Sequence, residues 1–276
     1  MRIVTFRHNG IVRHGVRSGE SIEVHSEATS AVDLAGRGTS SAPSEVVALA
    51  DVELLPPVPN PGKIICVGLN YRAHAIEGGN SIPDYPAVFL RCTTSLAAPG
   101  GAMLYPECSD KLDYEAELAV IIGKTARNVA VAHSLNHVAG YSCFNDGSVR
   151  DYQRKSTQWT MGKNFDGTGG FGPELVTPDE LPAGASGLRL VARLNGKVMQ
   201  DTDTADMIFD VATLVATLSE AMTLEPGDVI ATGTPSGVGY ARTPPVFMRP
   251  GDTIEIEIEG IGTLTNVVAL RAAAAA

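Results

Sequence analysis

The sequence predicts an α+β fold rich in β-structure, with peripheral helices and a small amino-terminal domain. Three observations predict it. Most apolar runs are short and punctuated by glycine, as strands joined by tight turns require. A proline-rich segment, Pro56-Pro57-Val58-Pro59-Asn60-Pro61, separates a short leading part from a long remainder, since each proline fixes its own torsion and turns its predecessor away from helix. A long helical period runs through Ile208, Val211, Leu214, Val215, Leu218 and Met222, apolar at intervals of three and four.

Taken in order, residues 2–25 read as short strands broken at Asn9-Gly10 and Ser18-Gly19, followed by a polar stretch to about residue 45. The expected divisions are a small amino-terminal domain over 1–58, a larger domain over 62–271 and a disordered alanine tail over 272–276. Lys63 to Gly68 is a buried-strand candidate. Tyr71 to Glu77 suits one or two helical turns before the Gly78-Gly79 break, and Asp206 is a candidate cap for the later helix, which ends before Pro226-Gly227.

The 276 residues, 44 % of them hydrophobic, suffice for a large core. A formal charge of -10 argues against nucleic acid or an anionic membrane as the main partner, because both reward clustered Lys and Arg. Small molecules are the expected ligands. No apolar run approaches the roughly 20 residues that span a bilayer, and the amino terminus lacks the apolar core of a signal peptide, so a cytoplasmic location is expected. Cys66, Cys92, Cys108 and Cys143 form no C-x-x-C pair, so neither a zinc site nor a disulfide framework is indicated, and mostly buried thiols are expected.

The feature richest in chemistry is the run Asp113-Tyr-Glu115-Ala-Glu117, which turns wholly apolar through Leu118-Ala-Val-Ile-Ile122. On a strand the three acids share a face, and if that strand is buried their charge needs a counter-charge, for which a divalent cation is the economical choice. The alternative is the solvated face of an amphipathic strand. Glu255, Glu257 and Glu259 provide the contrast, because strict alternation with isoleucine before Gly260-Ile-Gly262 is the pattern of a half-exposed hairpin.

Asp146, at the end of an apolar stretch and before a glycine, is a third candidate ligand or simply a turn residue. Oxygen ligands favour Mg²⁺, Mn²⁺ or Ca²⁺ over zinc. His74 and Glu77, three apart, share a face of a helical turn, either as an oriented base or as an exposed pair. Lys163 stands among aromatic and glycine residues, poised to bind an anion or merely to snorkel. Thr232-Gly-Thr234-Pro-Ser-Gly-Val-Gly239 fails the phosphate-loop pattern and reads as a turn presenting N–H groups and Thr234 to a substrate carboxylate. His133 and His137 lack the glutamate of H-E-x-x-H and read as helix surface.

Several stretches, in this order, resemble the fumarylacetoacetate hydrolase family: Val67 to Glu77, Asp113 to Lys124, Asn145 to Asp151, Gln158 to Asp166, Asn195-Gly-Lys197 and Gly227 to Gly239. The resemblance implies a mixed β-roll-like catalytic domain, a homodimer, and Mg²⁺ or Mn²⁺ held by Glu115, Glu117 and Asp146. It implies a water-activating His74/Glu77 dyad, an active-site Lys163, and substrate contacts from Arg91, Gln158 and Thr234. Arg91 stands where many members carry lysine, which bears on substrate preference because arginine offers a fork to a carboxylate and no base. The implied activity is hydrolysis of a C–C bond in a small acylpyruvate or β-diketo acid such as fumarylpyruvate. The alternatives are an oxaloacetate-type decarboxylase, a lyase or isomerase of the same family, and a catalytically silent homologue.

Overall fold

The computed structural model describes residues 1–39 and 42–271, so the expected tail at 272–276 lies outside the described residues. Two sheets carry the fold. The larger has 12 strands, and across its middle lie, side by side, Arg2–His8, Gly169–Val176, Val138–Asp146, Ala116–Ile122, Val229–Ala231, Ile64–Gly68 and Ala87–Arg91. The smaller, of five strands, runs in the order Lys197–Asp203, Arg189–Leu194, Thr253–Ile258, Gly262–Leu270 and Ala102–Tyr105.

Ala116–Ile122 is buried at every position because both of its faces are covered. Leu118, Val120 and Ile122 pack toward Leu190, Ile256 and Leu264 of the smaller sheet and Leu214 of the long helix. Ala119 and Ile121 pack on the other face with Phe144, Phe171 and the helix Ala31–Arg37. A strand covered on both faces is uniformly apolar, which accounts for the unbroken run after Glu117. Thr253–Ile258 instead alternates buried isoleucine with half-exposed glutamate or threonine, as its sequence predicts.

At the amino terminus, Arg2–His8, Ile11–Ser18 and Ser21–Val24 form a meander. Asn9 and Gly10 take φ of 50° and 77° in its first turn, the left-handed pair that a two-residue hairpin demands. Arg2–His8 also pairs with Gly169–Val176, so the meander continues the large sheet. The helix Ala31–Arg37 was not expected from the polar stretch. Ser30 caps it by accepting from the Asp33 N–H.

The long helix spans Val211–Ala221, and its cap is Asp210, which accepts from the Thr213 N–H at 2.8 Å. Asp206, the expected cap, lies in the preceding turn and accepts from the Thr202 hydroxyl, so the helix starts later and leaves Ile208 outside it. Arg72–Glu77 is helical, as its sequence predicts. Cys66 and Cys143 are buried, whereas Cys92 and Cys108 are exposed, and all four are free thiols. No helix among the described residues is long and apolar enough to cross a membrane.

Candidate active site

Four neighbouring strands deliver their chemistry to one end of the large sheet. Ala116–Ile122 runs antiparallel to Val138–Asp146 and to Val229–Ala231, and the latter is parallel to Ile64–Gly68. Glu115 and Glu117 therefore stand at the start of one strand where Asp146 closes the next, where the Thr232–Thr234 turn begins, and where the chain leaves Gly68 for His74. A cavity of about 270 Å³ opens there, lined among others by His74, Glu115, Glu117, Asp146, Arg150, Lys163 and Thr234.

Glu115, Glu117 and Asp146 are buried, and each offers an oxygen to a cluster whose atoms lie within 4.8 Å of one another. Lys163, 2 % exposed, donates to Glu115 and, at 2.6 Å, to Asp146. Arg150 joins Glu115 at 2.6 Å and Asp113 at 2.8 Å. Arg91 donates to Asp146 at 2.6 Å. These buried groups comprise four carboxylates and three cations, so one negative charge is left over. It falls on Glu117, which has no ion pair among the described residues and accepts only the Gly233 N–H, at 2.9 Å.

The pKa directions follow this layout. Burial opposes ionisation of Glu115, but Arg150 and Lys163 overcome it and hold the carboxyl well below its usual range. Burial, followed by the charges of Asp146 and Glu115, pushes Glu117 up. Burial would depress Lys163, yet Asp146 and Glu115 outweigh it and keep the ammonium charged. An uncompensated buried carboxylate beside two others, all offering oxygen, suits a hard divalent cation. Replacing Glu117 by Gln is expected to abolish most of the rise in thermal midpoint that Mg²⁺ or Mn²⁺ gives the chelator-stripped protein. An unchanged rise would remove Glu117 from the ligand set.

The helix Arg72–Glu77 is pinned over the cavity from both ends. Buried Asn70 donates to the carbonyls of Thr232 at 2.7 Å and Phe209 at 3.0 Å, tying the helix entry to the glycine-rich turn. Glu77 accepts from the Gly237 N–H at 2.9 Å and meets His74 Nδ1 at 3.2 Å. Burial would raise the pKa of Glu77, but the His74 and Gly237 hydrogen bonds hold it low. An ionised carboxylate can only accept, so Nδ1 carries the proton and Nε2 is left as the basic nitrogen.

The expected residues do not all converge. Arg91 is absent from the cavity wall: its guanidinium is used up by Asp146, Ser95, Gly147 and Thr168, so it braces Asp146 instead of meeting substrate. Gln158 is exposed in a turn where its backbone pairs with the Ser156 hydroxyl, and Gln153 and Trp159 line the cavity in its place. Asp113 leaves the acid cluster to hold Arg150 and the N–H groups of Gly239 and Tyr240. The glycine-rich turn likewise spends the N–H groups of Gly233, Gly237 and Gly239 on Glu117, Glu77 and Asp113 and offers none of these to substrate. Gly233 is required there, since its φ is 104° and a Cβ would come within 2.7 Å of Asn70. Thr234 does line the cavity, with its oxygen accepting from Gln200 at 2.8 Å and its hydroxyl proton free to donate. His133 and His137 stay at the helix surface, away from the cavity.

Arg150, Tyr240 and Arg154 were missed. The signal for Arg150 lies in Asp146-Gly-Ser-Val-Arg150, where an arginine follows a buried valine four residues after a candidate ligand.

A buried acid cluster, counter-ions and a carboxylate-oriented imidazole around one small cavity have the make-up of an enzyme site for a small molecule. Residues 63–269 match the family described as fumarylacetoacetate (FAA) hydrolase C-terminal, and residues 1–57 match the one described as Rv2993c-like, N-terminal. The chain belongs to the fumarylacetoacetate hydrolase family. It is 44 % identical over 229 residues to the oxaloacetate tautomerase YisK of Bacillus subtilis, covering 82 % of this chain and 76 % of that one. The structure matches a fumarylacetoacetate hydrolase from Exiguobacterium antarcticum with TM-score 0.87 and 37 % identity, over 98 % of this chain and 100 % of the other. It also matches a 5-carboxymethyl-2-hydroxymuconate delta-isomerase from Mycobacterium smegmatis with TM-score 0.83 and 34 % identity, over 98 % and 100 % of the two chains.

Proposed function

We propose that this enzyme interconverts the keto and enol forms of a small α-keto dicarboxylate such as oxaloacetate. The observation that carries the reading is the His74/Glu77 pair, which sets one basic nitrogen at the wall of a cavity that also holds the buried acid cluster and its counter-ions. Tautomerisation needs one base that takes a proton from carbon and returns it, with stabilisation of the oxyanion between the two events. The relatives named above as tautomerase and isomerase support this reading over C–C hydrolysis, and so does a cavity at the small end of the range for ligand sites, about 300 Å³.

In this reading His74 Nε2 breaks the C–H bond next to the keto group, and Glu77 holds the resulting imidazolium. The electron pair moves onto the keto oxygen, which then takes up the proton held by the His74 imidazolium and restores the neutral base. Lys163, at the wall beside Glu115 and Asp146, contributes positive charge, and the Thr234 hydroxyl donates to a substrate carboxylate. A divalent cation bound by Glu115, Glu117 and Asp146 would supply Lewis-acid stabilisation of the developing oxyanion.

The test is the decay of enol absorbance of oxaloacetate with Mg²⁺-loaded protein, with pyruvate assayed in parallel and acylpyruvates offered as competing substrates. Faster decay without pyruvate is the expected result. Pyruvate release at the rate of the decay would make the enzyme a decarboxylase, and cleavage of an acylpyruvate would restore the hydrolase.

A further inference from the structure

Among the described residues of the cavity wall, Arg154 is the one cation that the acid cluster does not account for. It is exposed, lines the cavity, and has no ion pair among the described residues. Its guanidinium lies 4.5 Å from the centroid of the Tyr240 ring, and so does that of Arg150. The two like charges are therefore no further apart than twice that distance. Arg150 is neutralised by Asp113 and Glu115, whereas Arg154 is not. Tyr240 is fixed in turn, because its N–H donates to Asp113 at 3.0 Å. An unpaired arginine is thus held by a ring at the mouth of the cavity, with its donors free.

The charge count gives this position a meaning. The buried groups carry one net negative charge, a divalent cation would turn that into one positive charge, and Arg154 would make it two. A substrate with two carboxylates balances these groups, while a monocarboxylate leaves Arg154 unpaired. From this we infer that Arg154, braced by Tyr240, anchors the distal carboxylate of the substrate and sets the preference for dicarboxylates over monocarboxylates. The inference rests on the proposed reading for its substrate class, but it can be tested without turnover.

The probes are dimethyloxaloacetate and trimethylpyruvate, which differ only by a distal carboxylate in place of a methyl group and have no proton next to the keto group to enolise. Calorimetric titration into Mg²⁺-loaded protein should show the dicarboxylate binding about tenfold tighter or more, the scale of one charge-assisted contact. In Arg154→Met the ratio should fall toward one, and Arg154→Lys should recover part of it as a point charge without the fork. Equal binding of both probes by the native protein would overturn the inference, as would a full preference retained in Arg154→Met. A preference that depends on Arg154 in a protein without tautomerase activity would sustain the anchor and reject the proposed reaction.

Discussion

Replacing His74 by Ala should lower the turnover number of the proposed tautomerisation by about 10²–10⁴-fold, the usual worth of a positioned general base, while the thermal midpoint moves little. The two halves of this expectation have separate causes. His74 is only 7 % exposed and is the only imidazole among the described residues of the cavity wall, so no neighbour can take over the proton. Its removal unpairs one oxygen of Glu77, but that side chain is 23 % exposed and its other oxygen keeps the Gly237 N–H. Water can satisfy the freed oxygen, and the helix remains held through Asn70. Glu77→Gln should cost less, since it keeps a hydrogen-bond acceptor for Nδ1 and loses only the charge that steadies the imidazolium. Steady-state kinetics on enol-oxaloacetate beside a thermal melt would check both statements. A His74→Ala protein with native turnover would require a base on another element.

The distribution of legible and illegible residues has a physical origin. The buried carboxylates could be read because Ala116–Ile122 is covered on both faces, and a strand so covered leaves an unbroken apolar run beside its acids. The half-exposed Thr253–Ile258 announced itself by alternation. Which acid a counter-ion pairs with leaves no such local trace: Lys163 reaches Glu115 across 48 positions and Arg150 reaches Asp113 across 37. Arg91 was recognisable as an unusual residue at its motif position, yet only the packing of Ser95, Gly147 and Thr168 around it reveals that it faces Asp146 and not the cavity. Gln158 and Gln153 lie five positions apart around a short helical turn, and composition alone cannot tell which of them turns inward. Asp206 and Asp210 are equally good caps by type. The Thr202 hydroxyl engages the first and leaves the second to receive the Thr213 N–H.

Lys163→Met should destabilise the cation-free protein by about 3–5 kcal/mol, the cost of removing one partner from a buried ion pair. At this chain length that corresponds to a fall in thermal midpoint on the order of 10 °C. Methionine replaces the stem of the lysine at similar length, so the loss reports charge more than packing. Without the ammonium, Glu115 keeps Arg150 and Asp146 keeps Arg91, but the cluster gains a second unbalanced negative charge next to Glu117. A divalent cation should then bind the variant's folded state with more electrostatic gain than it finds in the native protein. By linkage, Mg²⁺ should raise the midpoint of Lys163→Met by more degrees than it raises that of the native chain, narrowing the gap between the two. Melts of both proteins in chelator and in saturating Mg²⁺ decide the matter. A gap of the same size in both conditions would mean that Lys163 braces the carboxylates independently of any cation, and no rise with Mg²⁺ in either protein would remove the cluster's standing as a metal site. Turnover should stay low even where Mg²⁺ restores the melt, because the cation rebalances the charge of the resting site without returning the ammonium that, in the proposed reaction, stabilises the oxyanion.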